Sequence, residues 1–192
     1  PFDFLLCAAD RRLPPILPEA QRAALAPYVD AESIAPAVRD FAGAIAAGAG
    51  SQTMPFLLQL NRALFESTNH AIRRDGSPNA PELTLGERTG SCRDLAVLFC
   101  AACRAVGIPA RFVSGYECQA TAAENGDLHA WAEVYLHCGG WRSFDPSRGL
   151  AVSTSHIAVA AAADPSLTAP VSGTYRGAAR SDMEFMISLS VA

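Results

Sequence analysis

Cys92 lies in Thr89-Gly90-Ser91-Cys92-Arg93-Asp94-Leu95-Ala96, where a loop with glycine runs into an apolar helical pattern. The spacing puts Cys92 in the first helical turn, facing unpaired N–H groups and the positive end of the helix dipole. Both favour thiolate over thiol, and thiol pKa values fall from about 8.5 to between about 3.5 and 7.5 in such settings. The same N–H groups can hold an oxyanion when a thiolate attacks a carbonyl. A thiolate nucleophile also needs an imidazole to exchange protons with, and that imidazole needs an orienting acid. His129 in Asp127-Leu128-His129-Ala130-Trp131-Ala132-Glu133 and Asp145 in Trp141-Arg142-Ser143-Phe144-Asp145-Pro146 follow in that order. The chemistry this combination can do is nucleophilic attack on an amide or related acyl carbon.

The elements that must carry these residues can be read from periodicity. Helices are predicted over residues 19–28, 33–47, 53–72 and 92–106, the last closed by Gly107 and Pro109. Residues 110–118, 129–137 and 141–145 alternate as strands, and late strands are predicted over 174–176 and 183–191. Residues 75–89 read as a polar loop, and the alanine-rich stretch 152–163 is ambiguous between helix and strand. Helices first and antiparallel strands second indicate an α+β domain. One geometric condition follows. A two-residue turn at Gly139-Gly140 would place Asp145 opposite Val134 and away from His129, because strand side chains alternate. The hairpin must therefore carry a longer loop or a bulge.

Half the residues are hydrophobic and 18% charged, which suits a globular core, and the net charge of −4 gives no electrostatic footprint for nucleic acid. There is no polybasic run and no apolar stretch of membrane-spanning length. The six cysteines are too few for a disulfide scaffold and read as mostly free thiols, which favours a cytoplasmic location. The chain starts Pro1-Phe2 without Met, as a piece of a longer protein would, so targeting information can lie upstream.

Other residues have plainer readings. Asp94 fits a helix-capping acid better than a catalytic one. Trp131 reads as core or cleft wall, and Tyr116 as a half-buried strand residue that could reach a cleft. Glu133 shares a face with His129 and suits either the cleft or a salt bridge. His70, His137 and His156 lack partners at informative spacing. Cys100-Ala101-Ala102-Cys103 matches CxxC but lies inside an apolar helix, so core packing is expected there and no metal site or cofactor.

Several spaced motifs together resemble the bacterial transglutaminase-like superfamily. They are Gly90 to Ala96, Gly107 to Tyr116, His129 to Tyr135, Gly140 to Pro146, and the tail from His156 through Gly177. The resemblance covers roughly residues 50–190. It implies a papain-like fold with the nucleophile helix packed on an antiparallel sheet, and roles for Cys92 as nucleophile, His129 as imidazole and Asp145 as orienting acid. Residues 1–50 are then a lead-in with helices, and 51–192 the catalytic domain. Arg93 stands where the family more often has glutamine or another polar residue, and puts a cation beside the thiolate. Arg93, Tyr116, Trp131 and Glu133 are the candidates for the cleft. The implied activity is hydrolysis of, or transfer from, an amide in a peptide or protein substrate; a non-catalytic scaffold of the same fold is the alternative. Oligomeric state is not legible.

Overall fold

The computed structural model describes residues 4–73, 76–117 and 128–169, together with 171, 173, 174 and 176–178. Three helices lead: α1 (Glu19–Val29), α2 (Pro36–Gly48) and α3 (Thr53–Ser67). The second begins at Pro36 and not at Ser33, because a proline suits the first helical position and holds the preceding Ala35 extended, at ψ 146°. The third stops at Ser67, short of the expected Ile72. Ser67-Thr68-Asn69 favour caps and turns over helix interiors, and the chain passes into a short strand, β1 (Asn69–His70).

The expected loop over 75–89 is corrected. It contains a helix, α4 (Pro81–Glu87), with proline in its first turn and Arg88 in the left-handed conformation at its end. It also contains β2 (Thr89–Gly90), which pairs in parallel with β1. Helix α5 (Cys92–Ala105) follows directly. The remaining strands are β3 (Ala110–Glu117), β4 (Leu128–Leu136), β5 (Gly140–Asp145), β6 (Leu150–Ala151) and β7 (His156–Ala162). Among the described residues they form an antiparallel sheet in the order β6-β5-β4-β3-β7. The ambiguous alanine-rich stretch is thus largely strand. Thr174 and Arg176 lie in no strand, whereas Cys118, Tyr175 and 183–191 fall outside the described residues.

The main core forms where α2, α3 and α5 meet the sheet. Phe56, Leu57, Leu60 and Leu64 of α3 pack with Leu95, Leu98 and Phe99 of α5, and with Ala132, Val134 and Phe144 of the strands. Phe99 stacks on Phe144 with centroids 5.6 Å apart. Cys100 and Cys103 belong to this core, and burial pushes the Cys100 thiol up to about 12 and Cys103 well above its ordinary value. The CxxC is packing, as its place in an apolar helix suggested.

Two irregularities decide which side chains share a sheet face. The β4–β5 hairpin turns through residues 137–139, with Leu136 opposite Gly140 and Ala132 opposite Phe144. Its turn is closed by the Gly139 N–H on the Leu136 carbonyl, and Gly140 follows at φ 67°. This is the longer loop that the side-chain alternation demanded. The second irregularity is a bulge between β3 and β7. Ser114 faces Ala160 but Gly115 faces Ala158, so Val159 is an extra residue. Beyond it His156 lies opposite Glu117, where an unbroken register would have put Ile157. Gly115 permits this crossing: a Cβ there would stand 2.0 Å from the Ile157 carbonyl oxygen and 2.7 Å from Trp131 Cη2. Gly115→Ala is expected to cost roughly 1–3 kcal/mol by overpacking, seen as a lower urea midpoint at unchanged slope.

The N-terminal segment is anchored on the hairpin turn. Buried Asp10 accepts the backbone N–H groups of His137 (2.7 Å) and Cys138 (2.9 Å). A disulfide joins Cys7 to Cys138, with Cα atoms 5.9 Å apart. The reading of the cysteines as mostly free thiols is therefore corrected at these two positions, whose separation of 131 residues leaves no local signal. Cys92, Cys100 and Cys103 are free. Disulfides persist in oxidising compartments, so the cysteines no longer support a cytoplasmic location. No helix among the described residues is long and apolar enough to cross a membrane.

Candidate active site

Cys92 opens α5 immediately after the β1–β2 ladder, so paired backbone leads directly into the loop that presents it. Ser91 caps the helix and forms a capping box with Asp94. Asp94 is fully buried and accepts the Ser91 N–H (2.7 Å), Ser91 Oγ (2.8 Å), the Asn79 N–H (2.7 Å) and Arg73 Nη2 (2.6 Å). Burial works to raise its pKa, but these hydrogen bonds and the Arg73 charge hold it below the ordinary value. Asp94 is thus the anchor of the loop that presents Cys92. Arg93 donates to the carbonyls of Gly76 (2.8 Å) and Arg73 (2.7 Å), tying the neighbouring loop to the start of α5.

His129 lies near the start of β4, and its Nε2 is 2.7 Å from Asp145 Oδ2. Asp145 is fully buried at the end of β5. Continuing the β4–β5 register sets it opposite Trp131, one alternation from His129 and on the same face. Its other oxygen, Oδ1, accepts the N–H of Ser147 (2.9 Å), Ser147 Oγ (2.7 Å) and the N–H of Arg148 (3.2 Å). Burial alone would raise the Asp145 pKa; hydrogen bonds from His129, His156 and Ser147 keep it well below the carboxylate range. An ionised carboxylate only accepts, so His129 Nε2 must carry a proton and Nδ1 is left for Cys92. Cys92 is close enough to the His129 ring to be among the groups that raise its pKa. Burial works to lower the His129 pKa, but hydrogen bonds and charge from Asp145 and Cys92 raise it to about 9. The arrangement can hold an imidazolium beside a sulfur and return its proton to a leaving group.

Of the other cleft candidates, Trp131 is almost fully buried and backs the site. Its ring stacks toward His129 at 6.2 Å and meets His156 edge-on at 5.0 Å. Glu133 is held by Arg111 (2.6 Å) and Ser143 Oγ (2.9 Å), a salt bridge within the sheet. Tyr116 is half-buried and pairs with Leu128 and Ile157. His70, given no role from the sequence, is near enough to sense the site. Burial first, then the charges of Arg148 and His129, lower its pKa, while Asp145 opposes them.

His156 is the residue that sequence reasoning missed. Its side chain is almost completely buried, and Nε2 lies 3.1 Å from Asp145 Oδ2, the oxygen already bonded to His129. Only Gly115, on the facing strand, marks in the sequence the bulge that turns it inward. Among the described residues, two groups have metal-ligand proximity, Cys7–Asp10–Cys138 and His129–Asp145–His156. In the first the sulfurs are bonded to each other. In the second both imidazoles already meet one carboxylate oxygen, at 2.7 and 3.1 Å, so hydrogen bonding accounts for the grouping.

Comparison with known proteins bears on the fold and the family. The chain is 30% identical over 106 residues to the uncharacterized protein ML0607 of Mycobacterium leprae, covering 53% of this chain and 37% of that one. It thus spans well under half the length of that relative. Among solved structures, a candidate cysteine protease from Cytophaga hutchinsonii matches with a TM-score of 0.61 and 25% identity, over 77% of this chain and 49% of that one. The periplasmic domain of TgpA from Pseudomonas aeruginosa matches in fold, with a TM-score of 0.55 and 24% identity, over 69% and 49%. The mixed helical and antiparallel-sheet architecture is the transglutaminase-like, papain-like one. The model of the transglutaminase-like superfamily matches residues 39–146, more than half of the chain, and the protein belongs to that superfamily.

Proposed function

We propose that the protein is a thiol enzyme that cleaves an amide through an acyl-enzyme on Cys92. The observation that carries this reading is His129, whose Nε2 meets a buried, ionised Asp145 at 2.7 Å and whose ring lies within reach of the Cys92 side chain at the start of α5. The Cys92 thiolate attacks the amide carbonyl carbon, and the Cys92 backbone N–H is one of the α5 donors without an intrahelical acceptor that can face the oxyanion. The C–N bond breaks as His129 gives its proton to the departing nitrogen, leaving a thioester on Cys92 and neutral imidazole. Water or a primary amine then attacks the thioester, His129 takes its proton, and the acyl group leaves as acid or as new amide. Membership of a superfamily likened to cysteine proteases supports the thiol chemistry; the substrate class is an amide in a peptide or protein.

The test is incubation with a peptide library, with and without a primary amine, followed by mass analysis of both peptides and protein. An acyl adduct on the Cys92 peptide is expected, with hydrolysed products alone or products carrying the amine. Turnover should persist through neutral pH and fall above about pH 9, as His129 loses the proton it donates. Absence of any adduct or product across the library would leave the scaffold reading in place.

A further inference from the structure

Asp145 Oδ2 has two lone pairs and two imidazole partners, His129 at 2.7 Å and His156 at 3.1 Å. Because the carboxylate is an acceptor only, His156 Nε2 donates a proton to it, as His129 does. Ser155 Oγ lies 2.9 Å from His156 Nδ1 and fixes the ring from its far side. Trp131 packs edge-on against the same ring, which is held 5.5 Å from that of His129. The β3–β7 bulge turns His156 to this face, and Gly115 makes room for it. A buried imidazole brought by a register shift onto the oxygen that orients another imidazole is a directed contact.

We propose that His156 is a positioning residue, whose Nε2–H pins Asp145 Oδ2 in line with His129 and, by sharing that oxygen, limits how tightly His129 keeps its proton. A carboxylate oxygen that serves two donors gives less to each than one serving a single donor. Without His156, the free lone pair leaves the whole negative charge of Oδ2 to His129, which then becomes a weaker proton donor to a leaving group. Among the described residues, the other charged or titratable groups around the pair are Cys92 from α5, His70 from β1, Arg148 beyond β5, and Glu117 of β3, which is ion-paired to Arg148. They remain in every variant below, so a difference between variants reports on position 156. This inference rests on the proposed role of His129, but its measurement does not require turnover.

The experiment is a pH titration by imidazole nitrogen NMR of the histidine-labelled chain, whose four histidines can be assigned by single substitutions. In His156→Leu the donor is lost at similar volume, and the His129 midpoint is expected to rise by about one pH unit, a tenfold change in its protonation equilibrium. His156→Asn, too short to reach Asp145, should do the same and guards against a Leu variant that does not fold. His156→Gln places an amide N–H near the Nε2 position and should restore the midpoint to within about 0.3 units. A His129 midpoint unmoved in the folded Leu or Asn variant overturns the proposal, as does an equal shift in Gln. If the midpoints move as expected but no acyl adduct ever forms on Cys92, the positioning role stands and the enzymatic reading fails. Adduct formation with unmoved midpoints has the opposite meaning.

Discussion

Cys92→Ala is expected to lower kcat/KM on any substrate of the wild-type chain by roughly 10⁶-fold, the scale seen when a covalent nucleophile is removed. No other described thiol can replace it. Cys100 and Cys103 are buried in α5, and burial holds both in the protonated form far above neutral pH. Cys7 and Cys138 are joined to each other. The substitution removes one partly buried sulfur at a helix start and leaves the Ser91–Asp94 capping box intact. The folded fraction should therefore be unchanged by circular dichroism and by urea midpoint. Progress curves at high enzyme concentration would decide the matter: activity above about 1% of wild type, in a preparation free of wild-type protein, would exclude Cys92 as nucleophile.

Asp145→Asn is expected to cost about 10³–10⁴-fold in kcat/KM, by forcing the wrong imidazole tautomer. The backbone N–H groups of Ser147 and Arg148 both point at Oδ1, and neither can turn away. They require the asparagine oxygen on that side, which puts the amide NH₂ where Oδ2 now meets His129 and His156. His129 must then accept at Nε2 and carry its proton on Nδ1, facing Cys92. A ring protonated there cannot take the thiol proton. Alkylation of Cys92 by iodoacetamide should accordingly need a higher pH in Asp145→Asn than in the wild type. Equal alkylation profiles, with activity within tenfold, would contradict the orientation role of Asp145.

Much of this was readable from residue spacing. The amphipathic repeats of α2, α3 and α5 appear in the sequence because each buries one face in a shared core. The loop that presents Cys92 was legible because a glycine precedes an apolar helical repeat, and the histidine and aspartate that meet lie on adjacent strands. Alternation even exposed the need for an irregular β4–β5 turn, since a two-residue turn would have separated His129 from Asp145. What escaped depends on distant partners. The Cys7–Cys138 bond and the Asp10 contacts join distant segments whose local sequences carry no mark of each other. Helix α4 is short, so its proline start was outweighed by the polar residues around it. His156 lies in an alanine-rich strand with almost no polar alternation, and a run of small apolar residues does not reveal its register.

The turn at 137–139 and the extra Val159 act on the site as a parity check acts on a message. Strand side chains have two settings, up or down, and each irregularity inverts everything beyond it. Deleting one residue from the turn would do more than draw Asp145 back by about 3.3 Å; it would send the carboxylate through to the other side of the sheet. Removing Val159 would do the same to His156. Beyond the Cys138 disulfide and the tight contact at Gly139, what these two places fix for the site is the residue count. In this fold, single-residue insertions and deletions in either stretch are therefore a different kind of lesion from substitutions. They should inactivate without passing through any partly active form.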